Sequence, residues 1–395
     1  MILAAAHSPS LIWALPFVAL LLCIAILPLT PKLSHWWEHN KNKLIVGLVL
    51  GFVTLGHFAT RGSGVTLHDP FHIRVFYRFD AALSEAGGRF VTGPGLPAAL
   101  GALSNSVAEY LPFIILLFSL YTICGGINLS GDIPAHPITN TIFLGAGALL
   151  ASFVGTTGAS MLLIRPLLQT NSERKHVAHT VVFFIFLVSN IGGCLLPIGD
   201  PPLFLGYLRG VPFLWTFQLW KEWLFCVVAL LIVYYALAHV VYHREPRRAI
   251  SLDERQIRPL RVKGLHNLAW LALVIIAVGT LDPTKPLSGT SFTPPPMMRE
   301  GILLVIVALS WITTSPAVRH ANKFNFVAIG EVACLFIGIF LTMQVPLEIL
   351  HARGAELGLT KPWHFFWATG GLSGFLDNAH TYVVFFETAN ALTTQ

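Results

Sequence analysis

Charged residues are scarce in this sequence. Of its 395 residues, 25 are Lys or Arg and 19 are Asp or Glu, so 11% are charged, against about 25% in soluble domains. Hydrophobic residues make up 54% of the chain, and the mean hydropathy is +0.69. This balance excludes an ordinary soluble domain, because a core could not hide so much apolar surface, whereas a bilayer accepts apolar runs of roughly 20 residues.

Cysteines with paired spacing are also lacking. The five cysteines lie in apolar stretches, which is typical of small buried side chains rather than of disulfides or metal ligands: Cys23, Cys124, Cys194, Cys226 and Cys334. The sequence shows no acidic and histidine residues at metal-ligand spacing and no nucleophile beside a base. We therefore predict no enzyme activity, no metal centre and no cofactor.

The net charge of +6 does not indicate a nucleic-acid partner. The basic residues lie in short loops between apolar runs, where they orient helices in a membrane. The N-terminal run at 11–29 is too long for a signal peptide and follows a start without positive charge, so we predict a spanning helix. The apolar runs are 11–29, 44–60, 107–127, 138–170, 177–198, 212–242, 266–281, 301–314, 326–350 and 362–392.

Two of these runs are interrupted in their middle. Run 138–170 contains Gly-Thr-Thr-Gly-Ala-Ser at 155–160, and run 362–392 contains Ser-Gly-Phe-Leu-Asp-Asn-Ala at 373–379. Glycine and polar residues at such points disfavour a straight span. We predict a re-entrant helical hairpin for each run, with its tip at the polar stretch.

The basic residues predict the orientation of the chain. A cluster of Arg and Lys in loop 243–264 indicates a cytoplasmic loop. If hairpin 138–170 enters and leaves on the cytoplasmic side, the other basic loops are cytoplasmic as well: Lys32, Lys41 and Lys43 in the first loop, Arg174 and Lys175 after the hairpin, and Arg319 and Lys323 farther on. A multi-pass protein of a bacterial-type plasma membrane is the predicted location.

The order of spans and hairpins predicts two inverted repeats. Residues 1–210 form the first repeat, with hairpin 138–170 and a broken span at 177–202. Residues 211–265 are a linking helix and the basic loop, and residues 266–395 are the second repeat, with hairpin 362–392. An insertion at 61–102 is predicted to be an amphipathic segment on the outer surface. Symmetry demands one more span after 392, so either the sequence is truncated or the symmetry is wrong.

Repeated, interrupted helices predict a transporter with its site at the membrane midplane. The fold class is therefore an all-α polytopic membrane protein, an inverted-repeat transporter with two re-entrant hairpins and unwound helices.

The strongest local signal is a break within the fifth run. Ser189-Asn190-Ile-Gly-Gly is followed by Leu-Pro-Ile-Gly-Asp200-Pro-Pro, which cannot continue as a helix. Unwound backbone at membrane depth persists where it lines a cavity or binds a polar ligand. Asp200 is either an ion-binding carboxylate or the cap of a helix that begins at Pro201, and both roles can coexist.

The hairpin tips supply further candidate ligands. Thr156 and Thr157 offer hydroxyls and amides at a half-helix N-terminus, suited to an anion or to sodium, although close helix packing explains small residues there too. Asp377 and Asn378 form an Asp-Asn pair inside an apolar run. We predict that these four residues, with Ser189, Asn190 and Asp200, bind the transported species.

Three further residues are candidates for proton coupling. Glu109 and Glu331 each lie near the start of a predicted span, where helix capping explains them about as well. His380 follows the Asp-Asn pair, and its titration near neutral pH could be coupled to an ion site.

These motifs resemble the ion transporter superfamily that includes NhaD-type sodium/proton antiporters, arsenite permeases and citrate transporters. The stretch from Ser189 to Pro202 carries the likeness, with the two tips at 155–160 and 373–379. The resemblance implies paired inverted repeats, two hairpins and two unwound helices, and a homodimer with an elevator-like movement. It places sites at Thr156, Ser189 and Asn190 in one half and at Asp377 and Asn378 in the other.

The sequence favours sodium/proton exchange over citrate transport. Asp200 and Asp377 are carboxylates for which sodium and a proton can compete. A citrate or other carboxylate transporter would need Arg or Lys in its core, and the nearest, Arg165 and Arg209, lie nearer the ends of their segments. From another class, a membrane scaffold would not need the proline-broken segment, and an inactive fragment is the alternative if the chain is truncated.

Overall fold

The computed structural model describes residues 9–67, 83–86, 89–255, 257–283, 285–287, 289–374 and 378–393. The chain forms two compact units. Unit 1 consists of Met1–Ile114 and Phe326–Gln395, and unit 2 is the continuous stretch Ile115–Asn325. A compact unit and a symmetry repeat are different divisions of a chain, so the two inverted repeats stay a prediction.

The described residues confirm an all-α polytopic membrane protein. Six helical segments are long and apolar enough to cross a membrane, and a bent pair, Val327–Thr342 with Gln344–Arg353, makes a seventh if it counts as one span. The six are Leu11–Leu29, Asn40–Thr60, Leu96–Cys124, Pro137–Val154, Ala178–Leu195 and Thr216–Tyr242. In the last of these only 17% of the apolar window is buried, which suits a helix that faces lipid.

Unit 1 contains helices from both ends of the chain. They are α1 (Leu15–Ile26), α2 (Ser34–Trp37), α3 (Asn40–Thr60), the first part of α4 (Leu96–Cys124), α14 (Val327–Thr342), α15 (Gln344–Arg353), α16 (Pro362–Ser373) and α17 (Asn378–Thr393). Short 3-10 turns flank α1 at Leu11–Ala14 and Leu27–Leu29, and another lies at Gly354–Leu357.

Small residues let α3 and α14 pack closely. A Cβ atom added at Gly338 would lie 2.5 Å from the Cα of Gly47, and one added at Gly51 would lie 2.8 Å from Leu341. Such close backbone approach is a common way for helices to associate in a membrane. The hydrophobic effect does not drive helices together in lipid, so van der Waals packing between small residues contributes instead.

An ion pair with one buried partner joins the same two helices. Lys43 is 4% exposed in α3, and its ammonium binds the carboxylate of Glu331 near the start of α14. The prediction that Lys41 and Lys43 lie in a loop is wrong, since α3 begins at Asn40. Lys43 looked like a loop residue because its partner lies 288 positions away in the sequence.

Helix α4 begins earlier than its apolar run. It starts at Leu96, so the prediction that Glu109 opens a span is wrong, and Glu109 lies near the middle of the helix. The first turns are rich in Ala, Gly and Ser and therefore weakly hydrophobic. Their polar groups are bonded within unit 1: Asn105 donates to the carbonyl of Thr66 at 2.9 Å, and Ser106 donates to that of Phe340 at 3.0 Å.

The predicted insertion at 61–102 contains strands rather than one amphipathic segment. Strands β1 (Thr66–Leu67), β2 (Leu83–Ala86) and β3 (Arg89–Thr92) form an antiparallel sheet in the order β1-β3-β2. Val91 in the central strand β3 pairs with Thr66 of β1 on one side and with Ser84 of β2 on the other. Residues 93–102 include the start of α4, and 68–82 lie outside the described residues.

The predicted span 326–350 is a bent pair of helices. The axes of α14 and α15 differ by 43° around Met343. Pro346 in the first turn of α15 lacks the N–H that would bond to the carbonyl of Thr342, and its ring crowds that carbonyl. The hydroxyl of Thr342 itself donates to the Gly338 carbonyl at 2.8 Å. The proline therefore accounts for the bend.

Unit 2 contains the last part of α4 and the helices that follow. They are α5 (Pro137–Val154), α6 (Thr156–Thr170), α7 (Ala178–Leu187), α8 (Pro201–Leu208), α9 (Trp220–Tyr242), α10 (Arg247–Arg255), α11 (His266–Thr280), α12 (Met298–Thr313) and α13 (Pro316–Ala321). Short 3-10 turns lie at Ile191–Leu195 and Thr216–Leu219.

Helix α13 caps the C-terminal end of α4. The guanidinium of Arg319 donates to the carbonyl of Thr122 at 2.8 Å, and the amide of Asn322 donates to the carbonyls of Gly125 and Ile127. The last carbonyls of a helix lack partners within it and carry partial negative charge. Arg319 is 7% exposed, and this structural role explains why the cation is buried.

The basic loop 243–264 is folded. It contains α10 and strand β5 (Arg258–Lys263), which pairs antiparallel with β4 (Asn128–Asp132). Residues 258–263 are all exposed. The small sheet is an addition to the predicted all-α architecture, and the predicted basic loop contains a helix and a strand.

The close contact between α3 and α14 generates a prediction. Gly338→Ala places a methyl group against the backbone of Gly47, so we expect a loss of about 1–3 kcal/mol of stability from overpacking. The control is Gly56→Ala in the same helix pair, where nothing lies within 4 Å and the change should be neutral or stabilising by up to about 1 kcal/mol. Thermal unfolding of the detergent-solubilised protein measures both. Equal melting temperatures for the two variants would contradict the packing.

Candidate binding site at the hairpin tip and the helix break

Helices α5 and α6 form an antiparallel hairpin. Gly155 lies between them with φ of +80°, a conformation that favours glycine. At the other end of the hairpin, the side-chain amides of Asn140 and Asn171 exchange hydrogen bonds of 2.8 and 3.1 Å. These residues come from the first turn of α5 and the end of α6, so the chain enters and leaves the hairpin at one end. Re-entry into a membrane stays a prediction.

The helix after this hairpin is broken where the sequence predicted. Helix α7 ends at Leu187, a 3-10 turn follows at Ile191–Leu195, and the chain is extended at Leu196 and again at Asp200 before α8 begins at Pro201. A Cβ atom added at Gly193 would lie 2.6 Å from the Gly199 carbonyl oxygen. Only a residue without a side chain allows the break to fold so tightly on itself.

Neighbouring helices satisfy part of the unwound backbone. The indole N–H of Trp223 donates to the carbonyl of Ile191 at 3.0 Å, and the hydroxyl of Thr216 donates to that of Leu195 at 3.0 Å. The hydroxyl of Ser152 in α5 donates to the Gly192 carbonyl. The break is thus a supported structure, as buried polar backbone requires.

The hairpin tip binds the break directly. The amide of Thr156, the first residue of α6, donates to the Gly199 carbonyl at 2.8 Å. The hydroxyls of Ser160 and Ser189 lie 2.8 Å apart in a hydrogen bond. The structure therefore brings the two strongest sequence motifs of unit 2 into one site, which we call the tip–break site: residues 155–160 and 188–200.

Comparison with known proteins gives the chain a family. The model of a family described as "putative citrate transport" matches residues 6–79 and 89–395, which include the tip–break site and the apolar run 362–392. The chain belongs to this family. No curated protein matches the sequence.

Membership of the citrate transport family confirms part of the predicted resemblance. It supports a secondary transporter of ions or citrate in a membrane. The match does not test the likeness to NhaD-type antiporters or to arsenite permeases, and the homodimer stays a prediction.

The predicted ligands of unit 2 lie in or beside the tip–break site. Thr156 is buried, and its methyl group packs where a Cβ at Gly193 would be. Ser189 is half-buried, whereas Thr157 and Asn190 are exposed. Asp200 is half-buried at the N-cap position of α8, with Pro201 as the first helical residue, but its side chain makes no capping hydrogen bond.

The predicted ligands of unit 1 are only partly described. Asn378 is the first residue of α17, and its side-chain oxygen accepts a hydrogen bond from the hydroxyl of Ser373 at the end of α16. Asp377 lies outside the described residues, as does the side chain of His380. Glu331 is bound to Lys43, which gives it a structural partner.

Sequence reasoning missed the residues that hold the site together. Ser152 and Ser160 support the break through their hydroxyls. Gly193 and Gly199 were part of the break motif, but the sequence did not predict their contact with each other. Ser160 lies inside the polar motif that predicted the hairpin tip, so the composition of that motif could have indicated a role for this residue. Ser152 is one of many small residues in an apolar helix, and no sequence signal indicated its role.

The two segments of the tip–break site, residues 155–160 and 188–200, contain no Arg or Lys. Arg165 is exposed nine residues along α6 from Thr156, about 14 Å by helical rise, and donates to the carbonyl of Ala321. Buried Arg299 lies over the rings of Phe204 and Tyr207 and is bonded to Glu300 at 2.6 Å. The site therefore presents hydroxyls, backbone groups and the half-buried carboxylate of Asp200.

Two other features do not belong to this site. A cavity of about 860 Å³ in unit 1 is lined by Trp13, His57, Arg61 and Arg353 among others, and contains none of the predicted ligands. Within the described part of the chain, no three His, Cys, Asp or Glu residues are arranged to hold a metal ion.

The contact between Gly193 and Gly199 generates a prediction. Gly193→Ala places a methyl group 2.6 Å from the Gly199 oxygen and 2.7 Å from Thr156, so the tip must separate from the break. We expect transport to fall at least about tenfold, as misplacing a site by about 1 Å does in enzymes. Uptake by proteoliposomes, normalised to protein, measures it.

The matched control is Gly371→Ala in α16, where nothing lies within 4 Å of the added atom. It should transport as the unchanged protein does. Full transport by Gly193→Ala would show that the tip–break contact is not needed.

Proposed function

We propose that this protein is a secondary active transporter of citrate or a related small carboxylate, moved together with a cation. The tip–break site is the binding place in unit 2. Membership of the citrate transport family carries the proposal, and the geometry of the site supports it.

Hydrogen-bond donors at the tip suit a carboxylate. The first N–H groups of a helix have no partner within it and carry partial positive charge. The amide of Thr156 is used by Gly199, but those of Thr157 and Gly158 follow in the same first turn. The hydroxyls of Ser160 and Ser189 add donors beside them. Carboxylates bind at helix N-termini of this kind.

The charge of the site calls for a cation. A citrate ion carries several negative charges, Asp200 adds another, and residues 155–160 and 188–200 contain no Arg or Lys. A bound cation would offset this repulsion, and hydroxyl, carbonyl and carboxylate oxygens are the ligands that hard cations prefer. Because each species favours binding of the other, their movement would be coupled.

Sodium/proton antiport is the second candidate. The same shortage of basic side chains favours a cation as the only substrate, and Asp200 would bind sodium or a proton in turn. Asp377 in the second tip would act in the same way. For either function, we propose a homodimer in the plasma membrane, with re-entrant hairpins, an elevator-like movement and segment 243–264 on the cytoplasmic side.

Transport in proteoliposomes tests the proposal. We expect labelled citrate to accumulate when a sodium or proton gradient is imposed, and Asp200→Asn to reduce this uptake at least about tenfold, because a cation loses a charged ligand. Glu356→Gln, an exposed acid in the turn Gly354–Leu357, is the control and should have no effect.

A pH-sensitive dye inside the same vesicles separates the two candidates. Proton flux driven by sodium or lithium without any carboxylate, and lost in Asp200→Asn, would overturn carboxylate transport in favour of antiport. Citrate uptake that ignores every cation gradient would contradict the coupling.

A further inference from the structure

The segment between α9 and α11 presents a strongly basic surface. Seven Arg and Lys side chains of residues 243–264 are exposed. We call them the basic surface: Arg244, Arg247, Arg248, Arg255, Arg258, Arg261 and Lys263. Positive charge in this segment is enough to orient the helices in a membrane. That role does not require the segment to fold, or its basic side chains to be exposed together.

Two of the three acidic residues in the segment are turned inward. Glu245 accepts hydrogen bonds from the amides of Lys175 and His176, at 3.1 and 2.8 Å, and is 7% exposed. Burial would raise the pKa of Glu245, but these amide bonds hold the pKa below its usual value, so the carboxylate stays charged.

Asp253 is the second inward acid. It is 3% exposed, accepts a bond from the amide of Ala135 at 3.1 Å, and pairs with Arg174 at 2.7 Å. Only Glu254 is exposed, 3.9 Å from His136. The outward face of the segment therefore carries seven positive charges and one negative charge.

Apolar side chains lie between the basic ones. In β5 apolar and basic residues alternate along the strand, in the order Leu260, Arg261, Val262, Lys263, and all four are exposed. Five large apolar side chains of this region are between 39% and 57% exposed: Leu252, Ile257, Leu260, Val262 and Leu265. A mixed basic and apolar surface is typical of segments that lie in the interface of a membrane.

The position of the segment restricts its partner. Helix α9 is a candidate span that ends at Tyr242, and the apolar helix α11 begins at His266. The 23 residues between them are therefore held near a bilayer surface, where the nearest abundant anions are lipid head groups. We propose that the basic surface binds the head groups of anionic lipids and lays its exposed apolar side chains into the same interface.

The inward acids connect this surface to the transport site. Arg174, Lys175 and His176 lie four to six residues after the end of α6 at Thr170. Asp253 binds Arg174, and Glu245 binds the amides of Lys175 and His176. The segment that binds lipid thus also clamps the open end of the tip hairpin. Anionic lipid would hold that end at the membrane surface while the tip meets the break.

A nucleic acid or an acidic protein would also be attracted to seven exposed cations. The exposed apolar side chains favour lipid over both, because they contribute little to binding a polyanion in water. The experiment includes this alternative as an outcome.

The test uses the purified full chain in an uncharged detergent. Its melting temperature is measured while short-chain phosphatidylglycerol or phosphatidylcholine is added, and an apparent Kd follows from the shift. We expect the anionic lipid to stabilise the protein more than the zwitterionic one, and the difference to shrink when salt rises from about 50 mM to about 500 mM.

Arg258→Gln/Arg261→Gln/Lys263→Gln removes three charges of β5 but leaves the backbone pairing with β4 intact. Each basic residue near an anionic surface contributes about 1 kcal/mol, which is roughly fivefold in Kd. Loss of three should therefore raise the apparent Kd for phosphatidylglycerol on the order of 100-fold. Arg247→Gln/Arg248→Gln on α10 should weaken it roughly 25-fold by the same reckoning. The control, Lys221→Gln/Lys285→Gln/Arg353→Gln, removes three exposed charges elsewhere and should change little.

Several results would overturn the proposal. Both basic-surface variants could keep the original Kd, the control could lose as much affinity, or the two lipids could stabilise equally. Inorganic phosphate alone could reproduce the shift, which would identify a soluble phosphate as the ligand. A short RNA could bind while phosphatidylglycerol has no effect, which would identify a polyanion partner instead.

Discussion

The hydrogen bond from the amide of Thr156 to the carbonyl of Gly199 joins two pieces of interrupted backbone. Each piece alone would expose polar groups that an apolar environment does not satisfy, at a cost of several kcal/mol for each group. Together they satisfy one another, with the hydroxyls of Ser152, Ser160 and Ser189 completing the contact. The hairpin, the broken helix and the proposed binding place all depend on this bond.

Several buried charges in the two units are paired or placed at helix ends. Lys43 meets Glu331 between two helices of unit 1, Arg174 meets Asp253 at the base of the hairpin, and Arg319 caps α4. Removing one partner of such a pair would leave a buried charge alone, at about 3–5 kcal/mol. These residues are therefore explained by stability.

Much of the architecture could be predicted from the sequence, because apolar runs and interruptions are local signals. The break between Ser189 and Asp200 lies where glycines and prolines placed it. Glu109 was misplaced because the Ala- and Ser-rich start of α4 is only weakly apolar. The sequence did not predict the burial of Lys43, Glu245 and Asp253, because their partners lie far away in the sequence. A charged residue that will be buried cannot be told from an exposed one by its sequence context alone. The pairing of Ser160 with Ser189 depended on the fold in the same way.

The central claim is that the transported carboxylate binds where the tip meets the break. The most direct test replaces the native cysteines and introduces Ser189→Cys, with Ser172→Cys at the exposed open end of the hairpin as the control. The rate of alkylation is measured in proteoliposomes with and without citrate. The account predicts that citrate slows alkylation at position 189 and leaves position 172 unchanged. Equal rates with and without citrate at position 189, in a variant that still transports citrate, would contradict it.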